Sequence, residues 1–231
     1  MVFGPLFLRI INLMKLNVDF SKRVVLQTDD LPWVPSPSGG VERRMLERDG
    51  GEVARATSIV RFSPGACFPS HVHDLGEEIF VLEGVFSDES GDYGPGSYIR
   101  NSPGSMHAPH SRDGCLIFVK LRHVDPEDRQ NVAVNTRAAY WRPGLVPGLS
   151  VMPLASFDIQ HTALVHWEPG TCFNAHRHHG GEEILVIDGV FEDEYGRYPK
   201  GTWMRSPHLS LHQPFSREGC TILVKTGHLP F

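Results

Sequence analysis

A chain of 231 residues with a net charge of −5 and 40% hydrophobic residues has enough apolar material for one large or two small cores. The mild acidic excess and the scattered lysines and arginines give no reason to expect nucleic acid as a partner. Four cysteines without a Cys-x-x-Cys, Cys67, Cys115, Cys172 and Cys220, read as small, reduced core residues of a cytoplasmic protein. A disulfide within each domain's own pair is the alternative.

Residues 1–16 are apolar but carry Arg9 and Lys15. The basic residue inside the run and the missing small-residue cleavage site argue against a secretory leader. The run is also too short to cross a bilayer, so no membrane association is expected. Residues 1–20 are read as an N-terminal arm, or as an over-called start before Met14.

Val24–Gln27 is a short β-branched strand, and the Pro/Gly-rich stretch 28–40 is a loop that lays Trp33 across the first domain. From Val41 onward short apolar runs alternate with turn signals such as Gly50-Gly51, Pro64-Gly65, Gly94-Pro95-Gly96 and Pro103-Gly104. Strands of that spacing predict an antiparallel sandwich or barrel, closed by the strand from Cys115 to Arg122. No long segment shows helical periodicity. Residues 123–143 read as a polar connector.

The chemistry-bearing stretch is Gly65 to Gly84, with His71-Val-His73, a short turn, and Glu77 opening an apolar strand. Side chains two apart on a strand share a face. Imidazole, imidazole and carboxylate on one face suit a divalent transition metal. His107, after the Pro103-Gly104 turn, is the fourth donor. Any one of these histidines alone is better read as an ordinary surface or core residue. The group, however, occurs twice: His176, His178, Glu182 and His212 each lie 105 positions beyond their counterparts, and Gly84, Arg100 and Lys120 recur as Gly189, Arg205 and Lys225. Upstream the offset is 108, matching Trp33 with Trp141 and Leu46 with Leu154. The chain is therefore an internal duplication, with domains expected at 21–126 and 127–231.

Both stretches fit the pattern G-x5-H-x-H-x3,4-E-x6-G and so resemble the cupins. Trp33-Val-Pro35, Glu77-Glu78, Gly84-Val-Phe-Ser-Asp-Glu89 and the run from Arg100 to Pro109 resemble the ChrR-like group within them. The second cupin motif is matched loosely, with displaced prolines and no closing Asn. The resemblance implies an all-β fold of two tandem cupin jelly-roll (RmlC-like) barrels, and a homodimer is common among such proteins. A closed jelly roll would bring His107 to His71, His73 and Glu77.

The expected metal ligands are His71, His73, Glu77 and His107 at one site, and His176, His178, Glu182 and His212 at the other. Glu78 and Glu183 have the opposite strand parity and rank below Glu77 and Glu182. Arg100 and Arg205 are candidates for an anionic ligand or for a structural salt bridge. His110, His179 and His208 read as exposed or supporting histidines. The cofactor is a divalent transition metal, up to two per chain: zinc first, with iron, manganese or nickel also suited to this donor set. No catalytic residue is assigned.

In the ChrR-like group a zinc-bound cupin is joined to an N-terminal domain that sequesters a sigma factor and releases it under oxidative stress. No counterpart of that sigma-binding zinc domain is seen here. The resemblance implies a metal-binding, sensing or small-molecule-binding protein linked to oxidative stress and transcription regulation. The alternative is an enzyme, a metal-dependent dioxygenase acting on an aromatic or diketone-type small molecule.

Overall fold

The computed structural model describes residues 14–230. The proposed arm or over-called start at residues 1–13 lies outside the described residues. The chain is almost entirely antiparallel β-structure. Among the described residues the helical content is one 3-10 turn, Thr28–Asp30.

The chain forms two compact units whose boundaries do not follow chain order. Among the described residues the first comprises 14–18 and 31–137, and the second 19–30 and 138–230. Measured against the expected division at 126/127, residues 127–137 lie with the first unit and residues 19–30 with the second. The connector is thus not all loop: Val132–Asn135 is a strand paired with Ser97–Asn101. Val24–Gln27, its equivalent in the repeat, pairs with Thr202–Ser206. Each sheet is completed by the entry strand of the other repeat.

In the first unit the main sheet runs in the order Lys15–Leu16, Val41–Gly50, Ala54–Phe62, Cys115–Leu121, Glu77–Gly84, Ser97–Asn101, Val132–Asn135. A separate ribbon pairs His71–His73 with Ser105–His107. The second unit repeats this order with Leu149–Phe157, Gln160–Trp167, Cys220–Thr226, Glu182–Asp193, Thr202–Ser206 and Val24–Gln27. Both units are jelly-roll barrels. Alternation along the strands puts Val60, Phe62, Ile79, Val81, Phe86, Ile117 and Val119 in the first core. Trp167, Ile184, Val186, Phe191 and Ile222 do the same in the second. Trp33 lies against the outer guanidinium groups of Arg44 and Arg61, at 4.4 and 4.2 Å from its ring centre.

The strand Val41–Gly50 carries a bulge that exchanges its two faces partway along. Met45 pairs with Ser58 and Glu47 with Thr57, so Leu46 is the extra residue. An extra residue reverses the alternation beyond it. Val41 and Arg43, opposite Phe62 and Val60, face the barrel interior before the bulge. Arg48, opposite Ala56, faces it after.

Candidate metal centres

The His71–His73 strand and the Ser105–His107 strand pair in a register that sets His107 opposite His71. Antiparallel pairing thus joins residues 36 positions apart in sequence into one cluster. One nitrogen from each of His71, His73 and His107 lies within 4.8 Å of the other two. The neighbouring strand contributes Glu77, whose Oε2 is 3.4 Å from Nε2 of both His73 and His107. In the second unit His176 pairs with His212, and His176, His178 and His212 cluster within the same 4.8 Å. Glu182 lies 3.5 Å from His178 Nε2 and 3.6 Å from His212 Nε2. All eight expected donors are therefore brought together, four in each unit.

The surroundings fix the imidazole tautomers. His71 Nδ1–H donates to the Pro69 carbonyl at 2.9 Å, and His176 Nδ1–H to the Asn174 carbonyl at 2.8 Å. A carbonyl only accepts, so each Nε2 is left with a free lone pair. His107 Nδ1 lies 3.2 Å from the Asp88 carboxylate, and His212 Nδ1 lies 3.7 Å from Asp193. Asn101 Nδ2 donates to Glu77 Oε2 at 3.1 Å. Asp88 was visible in sequence only as a member of the Gly84–Glu89 stretch, with no role attached, and Asp193 holds the equivalent place 105 positions on. Carboxylates that hold the far nitrogen of a metal-binding histidine are a recurring support for such sites.

These donors fit a metal ion on three grounds. Nε2 of His73 and of His107, and Oε2 of Glu182, are buried without a hydrogen-bond partner. Such groups are costly unless something fills the space between them. Burial pushes the His73 and His178 imidazoles down to about 3, with the neighbouring histidines adding to the effect. They are neutral lone-pair donors at neutral pH. Burial also pushes the Glu77 carboxyl up to about 8, against the opposing hydrogen bond from Asn101, and Glu182 to about 7. The carboxyl-to-imidazole separations of 3.4–3.6 Å are close to the roughly 3.3 Å between donors around a tetrahedral ion with bonds near 2.0–2.1 Å.

The other residues singled out in sequence lie elsewhere. Glu78 lies 3.4 Å from Arg100, and Glu183 accepts from Trp203 Nε1 at 2.9 Å, so Glu77 and Glu182 are the carboxylates beside the histidines. Arg100 is buried and bound to Asp128 at 2.6 Å. Arg205 is also buried, donating to the Asp19 carbonyl at 3.1 Å and lying over the Phe20 ring. His110 and His179 are exposed, and the His179 and His208 rings lie 4.8 Å apart. All four cysteines are free. Cys115 and Cys220 are core residues, but Cys67 and Cys172 are exposed, correcting the expectation that all four are buried. Cys67 lies outside any strand in a Pro-containing stretch, so strand alternation from His71 does not extend to it.

The first centre borders a cavity of about 440 Å³ whose wall includes His71, His73, Glu77, Phe62, Phe86 and Ile117. The second unit has a cavity of about 340 Å³ beside His176 and Glu182, narrowed by Trp167 where the first unit has Phe62.

Among solved structures the chain is similar in fold to a "putative dioxygenase" from Nostoc punctiforme, with a TM-score of 0.75 and 16% identity over 89% of this chain and 82% of that one. The protein Ylba from Escherichia coli superposes with a TM-score of 0.70 and 15% identity, over 96% and 98%. Oxalate decarboxylase from Lactobacillus farciminis does so with a TM-score of 0.60 and 15% identity, over 90% and 86%. No curated protein matches the sequence. Residues 21–125 and 129–230 each match the family described as "ChrR Cupin-like domain". The chain belongs to that cupin family, as a bicupin with one copy of the domain in each half.

Proposed function

We propose that this bicupin holds a divalent transition metal at each centre and presents the metal of the first to a small-molecule ligand. His71, His73, Glu77 and His107 hold the ion in the first unit, and His176, His178, Glu182 and His212 in the second. The observation that carries this reading is the shared wall: three of the first centre's four donor residues, His71, His73 and Glu77, also line its largely apolar cavity. The likeness to the ChrR group supports a sensing role tied to oxidative stress and transcription regulation, with zinc as the ion. A bound ion would supply Lewis acidity and a point of attachment for a ligand oxygen. Asp88 holds the His107 ring in place, and the cavity wall beside the centre is largely apolar.

A second reading, a metal-dependent dioxygenase for an aromatic or diketone-type molecule, is favoured by the same cavity and by the fold shared with the Nostoc protein. Metal content of anaerobically purified protein, measured by plasma mass spectrometry, separates the two. Two zinc ions per chain support sensing. Iron, manganese or nickel, together with metal-dependent oxygen uptake on an aromatic diketone, supports the enzyme. Protein that takes up no metal from any of these salts contradicts both.

A further inference from the structure

The cavity of the first barrel carries one more guanidinium than it has carboxylates to answer. Arg43, Arg48 and Arg122 line it, while Glu52 and Asp74 are its lining carboxylates outside the metal centre. Arg43 makes a two-pronged bond to Glu52 at 2.8 and 3.2 Å. Arg122 is paired with Asp74. Arg48 is left over: its Nη2 donates to the Gly51 carbonyl, its Nε has no partner, and the residue is 1% exposed. The carboxylate whose charge reaches Arg48 is Glu52, which Arg43 already holds in the two-pronged bond. A buried cation that must share its counter-charge with a second guanidinium is costly, so a fold that keeps one there invites an anion.

Local structure builds this arrangement. The bulge at Leu46 turns Arg48 inward, and its cross-strand neighbour is the small Ala56. The second barrel has the corresponding bulge, between Pro153 and Ala155, but not the arginines. There Val151 stands in place of Arg43, and Ser156, paired with His161, in place of Arg48. No arginine or lysine lines the second cavity. The duplication thus keeps the donor set in both halves while the halves differ at this end of the cavity.

We propose that the first barrel, and not the second, binds a small organic carboxylate with an apolar body. Its carboxylate is held by Arg48, and its other end faces the His71–His73–Glu77 centre. The planar fork of a guanidinium matches a carboxylate, and a single unanswered positive charge matches a monoanion better than a phosphate dianion. The apolar body is met by Phe62, Phe86, Ile117 and Val119. This assignment rests on the reading that the first cavity is the ligand's, but not on which metal is bound.

Calorimetric titration of the full chain with 3-phenylpropanoate and hexanoate, each compared with its primary amide, tests the proposal. The expected result is one site per chain and at least tenfold tighter binding of an acid than of its amide. Arg48→Gln is expected to abolish that preference, whereas Ser156→Ala keeps it. Arg48→Lys, which retains the charge without the fork, is expected to keep a reduced preference. Wild-type protein that binds neither acid, or does not distinguish acid from amide, overturns the proposal, as does a folded Arg48→Gln protein with the preference intact. Metal content is measured on the same samples. Acid preference in a protein that holds no metal would support the Arg48 subsite while removing the metal reading, so the two fail separately.

Discussion

Asp88 holds His107 from behind: the carboxylate lies 3.2 Å from Nδ1, while Nε2 of the same ring faces Glu77 at 3.4 Å. The imidazole is thereby fixed in the tautomer that offers its lone pair to the centre. Asp88→Asn keeps the size but removes the charge, and an amide nitrogen can turn toward Nδ1. Metal affinity at the first centre should fall by roughly 10- to 100-fold. Competition with a chromophoric chelator measures this directly, and an unchanged affinity would show that Asp88 does not support the ligand.

Metal uptake at the first centre should release a proton from the Glu77 carboxyl and not from the His73 imidazole. With its carboxyl pushed to about 8 by burial, Glu77 is largely protonated in the metal-free protein at pH 7, whereas His73, pushed down to about 3, is already neutral. Binding at the first centre at pH 7 therefore releases roughly one proton, and affinity rises with pH until about 8. Titration in buffers of different ionisation enthalpy counts the protons, and Glu77→Gln should remove the release at that centre.

The same shifts set how the metal-free protein responds to pH. The raised folded-state value at Glu77 favours folding below its ordinary range, and that contribution is lost as pH rises from 4.5 through about 8. The depressed value at His73 acts in the other direction: its contribution is present above 6.5 and lost as pH falls toward about 3. Denaturant midpoints of metal-free Glu77→Gln against wild type should therefore diverge most at pH 8 and above, with the variant the more stable. Convergence there would contradict the burial argument.

Arg100 and Asp128, 2% and 0% exposed, form a buried ion pair at 2.6 Å. Asp128→Ala leaves the guanidinium with only Glu78, at 3.4 Å, and should cost about 3 to 5 kcal/mol of stability. Chemical denaturation followed by tryptophan fluorescence reads that loss. Metal content at the first centre should stay unchanged in the folded fraction, because neither residue touches the donor set.

The candidate donors were legible because each is repeated at a fixed interval and because alternation on a strand fixes which side chains share a face. Glu77 could be ranked above Glu78 on parity alone, and the structure puts Glu77, not Glu78, beside the histidines. Other features left no such mark. The entry strands Val24–Gln27 and Val132–Asn135 read as strands or connectors whichever sheet they complete, so their exchange was invisible. Arg48 was hidden by the Leu46 bulge, since uninterrupted alternation from Arg43 would turn it outward. Asp88 acts across a hairpin, where a contact with residue 107 has no periodic signature.

The proposed function requires two separate four-donor centres, each holding one metal ion. The most direct measurement is metal stoichiometry of three proteins reconstituted alike: wild type, His71→Ala with His73→Ala, and His176→Ala with His178→Ala. Two ions per chain in the wild type and one in each double variant is the predicted result. Full stoichiometry in either folded double variant would contradict the ligand assignment for that half of the chain.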